Sequence, residues 1–331
     1  ERTAEAVRQL HEAGHEVMIA MVQDREAVLD PESWSRFLRF VLERVAGHVS
    51  EVEMCHATNR TKWGVHSPQE QGALVQGLGD LAREYPELKF TGPGCIDFEF
   101  HYVLAALAET PAGFSYAALS HLLYVDRRGA PEYHQGKYST LEKCALLRAI
   151  ANTSPHCANR VIISEVNWPL SGTGAWSPVA ATYRVPGDPE HRLNVSEEEY
   201  ACYMLRYLAL TICSGFVDRV YWWRLVAHGF GLVDERADGG WRERVGFRML
   251  LVFLQNVGDA TFVGKIDIGP GVYALRFERD DRALVLAWCH DGVFSGPWPF
   301  AVAEARNALG EVISLGQVGG SPVYLTVDPT N

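Results

Sequence analysis

The sequence has no CxxC pair, no cluster of Lys and Arg, and no apolar run approaching the roughly 18 residues that cross a bilayer. Each gap removes a class of function. Seven cysteines, at Cys55, Cys95, Cys144, Cys157, Cys202, Cys213 and Cys289, are an odd and scattered set. They suggest neither a disulfide framework nor a zinc site, and the reading they favour is free thiols in a reducing cytoplasmic compartment. No signal peptide opens the sequence; a periplasmic location would need an upstream one. With a net charge of −11 and scattered basic residues, the chain lacks the concentrated positive surface that a nucleic-acid partner requires. The glycine pairs at 172–174 and 319–320 lack the strand-to-helix setting of a phosphate loop, which disfavours nucleotide binding.

What is present is a chain of 331 residues, 47% hydrophobic, enough for one large core and a small second domain. Strand-like runs at 16–22, 52–57, 88–94, 114–124, 160–168 and 218–225 alternate with helical stretches at 32–47, 69–84, 98–109, 139–152, 196–214 and 241–256. Alternation of this kind, with continuously apolar strands, predicts an α/β fold with a parallel sheet. Polar and aromatic residues sit at or just past the C-terminal ends of these strands: His56, Asn59, Asp97, His121, Asp126, Glu165, Asn167, Trp168, Trp222 and Arg224. Loops after the strands build the site of a (β/α)8 TIM barrel, so the pattern selects that barrel over an open sheet. Only six strands are legible, and the chain opens at Glu1 in a helical pattern. The expectation is therefore a barrel whose first two strands are absent from this chain, with roughly 50 to 100 residues upstream. Residues 1–258 would form the barrel. Residues 259–331 change to short alternating runs broken by Gly, Pro and Asp, and read as a small antiparallel β-domain of β-sandwich type.

The chemistry concentrates in VIISEVNWP, 161–169, where Glu165 follows an apolar strand and precedes Asn167, Trp168 and Pro169. A lone Glu at a strand end is usually a salt-bridge partner. Here the flanking residues favour a functional carboxylate, with Trp168 as a floor on which a sugar ring could stack. Glycoside hydrolysis needs a carboxylate on one face of the sugar and a proton donor on the other. His56 and His121 are candidate donors, since an ordinary imidazole titrates near neutrality. Tyr124, Trp63 and the other strand-end polar residues are candidate substrate contacts. Of Trp222 and Trp223, alternation lets at most one face the site. Glu53 lies deep within its strand.

This segment resembles the seventh, nucleophile-bearing strand of clan-A retaining glycosidases, closest to family 39-like bacterial enzymes. DRVYWWRLVAHGFGLVDE, 218–235, resembles their eighth strand and the loop after it. HLLYVDRRGAPE, 121–132, resembles a sixth strand on which a His or Tyr orients the nucleophile. The resemblance implies a glycosidase of a bacterial cell-surface or lipid-linked saccharide, with Glu165 as nucleophile or base and an oligosaccharide or glycolipid as partner. It implies no metal and no organic cofactor. At the fourth strand the family pattern Asn-Glu-Pro-Asn is here His56-Ala57-Thr58-Asn59, with Trp63 following. Ala57 stands at the acid/base position and cannot transfer a proton. Three readings follow: an engineered acid/base knockout, a natural enzyme with another proton donor, or a catalytically inactive glycan-binding barrel.

Overall fold

The computed structural model describes residues 1–175, 194–280 and 282–328. They divide into two compact units. The first comprises Glu1–Tyr124, Glu142–Val166 and Phe216–Tyr221; the second comprises Val125–Leu141, Asn167–Gly215 and Trp222–Asn331.

The first unit is organised by a parallel sheet. Strands β1 (Met18–Met21), β2 (Glu51–Met54), β3 (Lys89–Ile96), β4 (Leu119–Leu122), β5 (Val161–Val166) and β6 (Arg219–Trp222) lie side by side in sequence order. Order is the informative feature. A doubly wound sheet reverses direction at a switch point, whereas strands added always on the same side wind toward a barrel. The six strands make a half-barrel of this winding type. Every residue of β2 and β4 is buried, which is why these strands read as continuous apolar runs interrupted by single polar residues.

The helices between the strands start where short polar side chains can hold free backbone N–H groups. Asp30 accepts from Ser33 N at 2.9 Å ahead of Pro31–Val45, whose Trp34, Leu38, Leu42 and Val45 form the buried stripe. Ser67 does the same for Pro68–Val75. The single helix expected over 69–84 is two helices, Pro68–Val75 and Leu78–Glu84. Gly77 lies in the break, where a residue of poor helix propensity lets the chain change direction.

In the second unit, Glu197–Ile212 begins with a reciprocal capping box between Ser196 and Glu199. The helix expected from residue 241 begins instead at Val245, because Arg242–Glu243 (β8) pairs with Val233–Asp234 (β7). The C-terminal residues form an antiparallel sheet of β9 (Thr261–Lys265), β10 (Val272–Arg279), β11 (Arg282–Cys289), β12 (Val302–Arg306), β13 (Val312–Ile313) and β14 (Val323–Val327), ordered β13-β12-β14-β11-β10-β9. One face supplies a core of Ala274, Ala283, Val285, Ala287, Ala305 and Leu325. The sequence reading missed β12 and β13, since Glu304 and Arg306 break the apolar alternation. Its boundary at 258/259 marks the step from the helix Val245–Val257 into β9, and lies inside the second unit.

A buried ion pair ties this unit together. Arg206 Nε donates to Glu132 Oε1 at 2.9 Å, its Nη2 donates to Glu132 Oε2, and Trp288 Nε1 donates to Glu132 Oε1 at 2.7 Å. Both charged side chains are almost wholly enclosed. Removing one partner leaves an uncompensated charge in a dry interior, so Arg206→Met should lower stability by about 3–5 kcal/mol. Urea titration of the wild type and variant checks this; a loss below about 1 kcal/mol would contradict a dry, tightly coupled pair.

Candidate active site

Glu165 emerges near the end of β5, after Val161, Ile162 and Ile163, none of which is exposed. It is half-buried, and the Tyr124 hydroxyl donates a hydrogen bond to its Oε1. A phenol aimed at a carboxylate favours the charged form and fixes its orientation. Tyr124, expected among the substrate contacts, is itself buried and holds Glu165. Of the His and Tyr offered by this segment for that role, the tyrosine performs it.

The two histidines differ from their expected role as proton donors. His121 has no exposed surface and its Nε2 meets the Asp97 carbonyl, while burial pushes its imidazole down to about 4. His56 packs edge-on to Trp63, with ring centres 4.6 Å apart, and burial followed by the nearby Lys62 charge also pushes it down to about 4. Desolvation disfavours the imidazolium, so both rings are neutral near pH 7 and the form that acts as a general acid is scarcely populated.

The ends of β2 and β3 are fastened by side chains of which the sequence singled out Asn59 and Asp97 but not Gln23. Gln23, just past β1 and 1% exposed, accepts from His56 N at 2.9 Å and donates to the His56 and Trp63 carbonyls at 2.9 and 3.0 Å. Asn59 donates to the Ile96 carbonyl and to Glu99, and accepts from Ile96 N, so its amide is committed to joining the two strand ends. Arg60 pairs with Asp97 at 2.7 Å and Glu99 at 2.8 Å. Burial pushes Glu99 up, but hydrogen bonds from Arg60 and Asn59 outweigh it and leave the carboxyl below its ordinary range. Cys55, Ala57 and Asp97 have φ of 69°, 44° and 60°, a left-handed conformation costly for residues with a Cβ. Gly94 accommodates this path, since a Cβ there would lie 2.6 Å from the Cys55 carbonyl oxygen. Ala57 itself is wholly enclosed.

Glu53 is, with Glu51, one of two buried carboxyls on β2. It is 2% exposed, pairs in register with Thr91 on β3, and has one carboxyl oxygen without a hydrogen-bond partner among the described residues. Burial pushes it up to about 7; the hydroxyls of Ser164 and Ser120 oppose the shift, and the Glu165 charge adds to it.

The remaining candidates lie in the second unit. Trp168 is not an open floor: it is 0% exposed, its Nε1 donates to the Arg128 and Gly129 carbonyls, and Trp222 stacks on it at 5.7 Å. Flanked also by Tyr203 and Tyr207, it belongs to an aromatic core. Trp222 donates from Nε1 to Tyr200 Oη at 2.7 Å, and Asn167 is buried. Arg224 is exposed, with its guanidinium 5.4 Å from the Trp223 ring centre, and Asp126 is partly exposed at the start of the turn Asp126–Arg128. The loop 227–234 is held by Arg244, which donates to the carbonyls of Ala227, His228 and Gly231 and to Asp234. Trp241, 74% exposed between β7 and β8, is an aromatic surface the sequence reading passed over, although a Trp following Gly239-Gly240 was a visible signal.

No protein-family model matches the chain, and neither does any curated protein sequence. Solved structures do match. A GH30 endoxylanase from Clostridium papyrosolvens C71 superposes with a TM-score of 0.57 at 10% identity, over 98% of this chain and 83% of that one. An alpha-L-arabinofuranosidase from Thermotoga maritima, in an arabinose complex, gives 0.61 at 13%, over 98% and 78%. A GH39 enzyme from Xanthomonas axonopodis pv. citri gives 0.54 at 13%, over 90% and 72%. At such identities the likeness shows the fold alone: a parallel half-barrel of the kind found in TIM-barrel glycoside hydrolases, with a separate antiparallel sheet.

Proposed function

We propose that the chain is a glycoside hydrolase acting on a saccharide through Glu165 as nucleophile or base, its six parallel strands being the third to eighth of an eight-stranded barrel. The observation that carries this reading is the Tyr124 hydrogen bond to Glu165 at the C-terminal end of β5, the end from which barrel enzymes work. The xylanase and arabinofuranosidase among the structural neighbours support a polysaccharide or oligosaccharide substrate. The substrate class argued from the sequence, a cell-surface or lipid-linked saccharide, remains part of the proposal. Trp63, in the same unit as Glu165, is a candidate sugar contact.

The reaction has an unusual proton economy. Ala57 holds no proton, the two imidazoles are neutral, and Glu99 is held in its charged form by Arg60 and Asn59. Burial pushes the Glu53 carboxyl up to about 7, toward its protonated form. Without an acid at the leaving group, cleavage depends on an aglycone that departs as a stable anion. A second reading, a glycan-binding barrel that does not cleave, is favoured by the enclosure of Ala57.

A positioned general acid contributes about 10²–10⁴ in rate, so the wild type should prefer dinitrophenyl over alkyl glycosides by roughly that factor more than an acid-bearing retaining hydrolase does. Ala57→Glu should compress the preference, read as kcat/KM on both substrates. Saturable glycan binding with no turnover of either substrate would instead establish the second reading. Glu165→Gln should abolish turnover of the dinitrophenyl glycoside while leaving the circular dichroism spectrum unchanged. Tyr124→Phe, which removes one hydrogen bond to a charged group, should lower kcat/KM about tenfold; retention of full activity by Glu165→Gln would end the proposal.

A further outcome concerns pH. A carboxyl whose folded pKa is raised from 4.5 to about 7 binds a proton the unfolded chain has released, so its contribution to stability is lost as pH rises across that window. Glu53→Gln should therefore be more stable relative to wild type at pH 8 than at pH 5. Thermal melts of both proteins at the two pH values measure it, and a difference independent of pH would show that Glu53 is already charged when folded.

A further inference from the structure

We propose that the antiparallel sheet of the second unit carries a binding cleft for an oxyanion, the carboxylate of a uronate or a phosphate group, separate from the carboxylates described above. The cleft has a volume of about 270 Å³ and lies between the end of the helix Val245–Val257, at Asn256, and one face of the sheet. Strand register builds that face. Arg279 stands directly opposite Arg282, Phe277 opposite Leu284, and Tyr324 opposite both Leu286 and Arg306. The neighbouring residues of these strands, Val285, Ala305 and Leu325, belong to the hydrophobic core of the sheet's other face.

Three observations make this face a site. Like charges directly opposite on adjacent strands repel, so Arg279 facing Arg282 is an unfavourable pair as it stands and a favourable one with an anion between. Arg306 is paired with Glu304 at 2.7 Å, whereas Arg279, whose Nη1 donates to the Gln255 carbonyl at 3.1 Å, and Arg282 have no ion pair among the described residues. Tyr324, 1% exposed and lining the cleft, has a hydroxyl with no hydrogen-bond partner among the described residues. Burial pushes its phenol further above its ordinary range, so the hydroxyl stays a donor. An orphaned buried O–H costs free energy unless something accepts from it, and an oxyanion held by two guanidinium groups supplies the acceptor. Phe277 and Leu284 add an apolar wall suited to the ring or carbon skeleton that bears the charge.

The inference does not rest on glycosidase activity, and its test does not measure it. Sodium phosphate and sodium D-glucuronate are each titrated into the full chain at low ionic strength, with binding followed by calorimetry and by NMR shifts of arginine side chains. At least one should bind saturably, and which one binds identifies the source of the oxyanion. Loss of one charge-assisted hydrogen bond should weaken it about tenfold in Arg282→Gln, and loss of the phenol donor about threefold in Tyr324→Phe. Arg248→Gln, on the exposed surface outside the cleft, should leave affinity unchanged. If the Tyr324 hydroxyl were only a packing imperfection, Tyr324→Phe would melt at the same or a higher temperature with affinity unaltered. That result, the absence of saturable binding by either probe, or equal weakening by Arg248→Gln would overturn the proposal.

Discussion

A parallel sheet covered on both faces leaves water almost no access to its strands, so any polar group placed there must find a partner or change its charge state. That constraint governs the first unit. Gln23 satisfies it with three hydrogen bonds to the backbone and in doing so sets the end of β2. Asn59 satisfies it by clasping β3. Glu53 satisfies it by keeping its proton. His121 does so by staying neutral against a carbonyl. The half-exposed carboxyl of Glu165 stands at the end of β5 with a buried phenol directed at it. Depth in the sheet thus separates the two carboxyls, since burial raises Glu53 while Glu165 keeps access to water.

The same constraint explains how Ala57 can coexist with an otherwise complete framework. The strand end around it is held by Gln23, by Asn59 and by the Tyr102 hydroxyl donating to the Thr58 carbonyl, none of which uses the side chain at position 57. The left-handed backbone at Cys55 and Ala57 is maintained by these bonds and by the close approach of Gly94. The scaffold around position 57 therefore does not depend on the side chain there. In the second unit, Arg206 with Glu132 and Arg244 with Asp234 are likewise buried charges whose pairing fixes the course of loops.

Much of the fold was legible because hydrophobic periodicity is a local signal. The six parallel strands, and the helices between them, lie where apolar runs and 3.6-residue stripes placed them, while the errors fell where local signals compete. Gly77 divided one helix, and Glu304 and Arg306 disguised an edge region of the second sheet as loop. Glu165 was legible because an apolar strand ending in a carboxylate, an amide and an aromatic residue is an improbable combination. Trp168 was misread for the same reason it was noticed. A Trp beside such a Glu is as suitable for a core as for a sugar platform, and its neighbours Trp222, Tyr203 and Tyr207 come from distant sequence.

By itself, then, the sequence determined the alternation of strands and helices, the acidic and thiol-scattered character of the chain, and the identity of the carboxylate at the end of β5. Tertiary structure alone decided what each polar residue does. Whether an imidazole titrates near 6.5 or near 4, whether a tyrosine touches sugar or steers a glutamate, and whether two arginines are scattered or face to face all depend on burial and on partners far away in the chain. Charge state and hydrogen-bond commitment are properties of the surroundings, and a sequence specifies those surroundings only after it has folded.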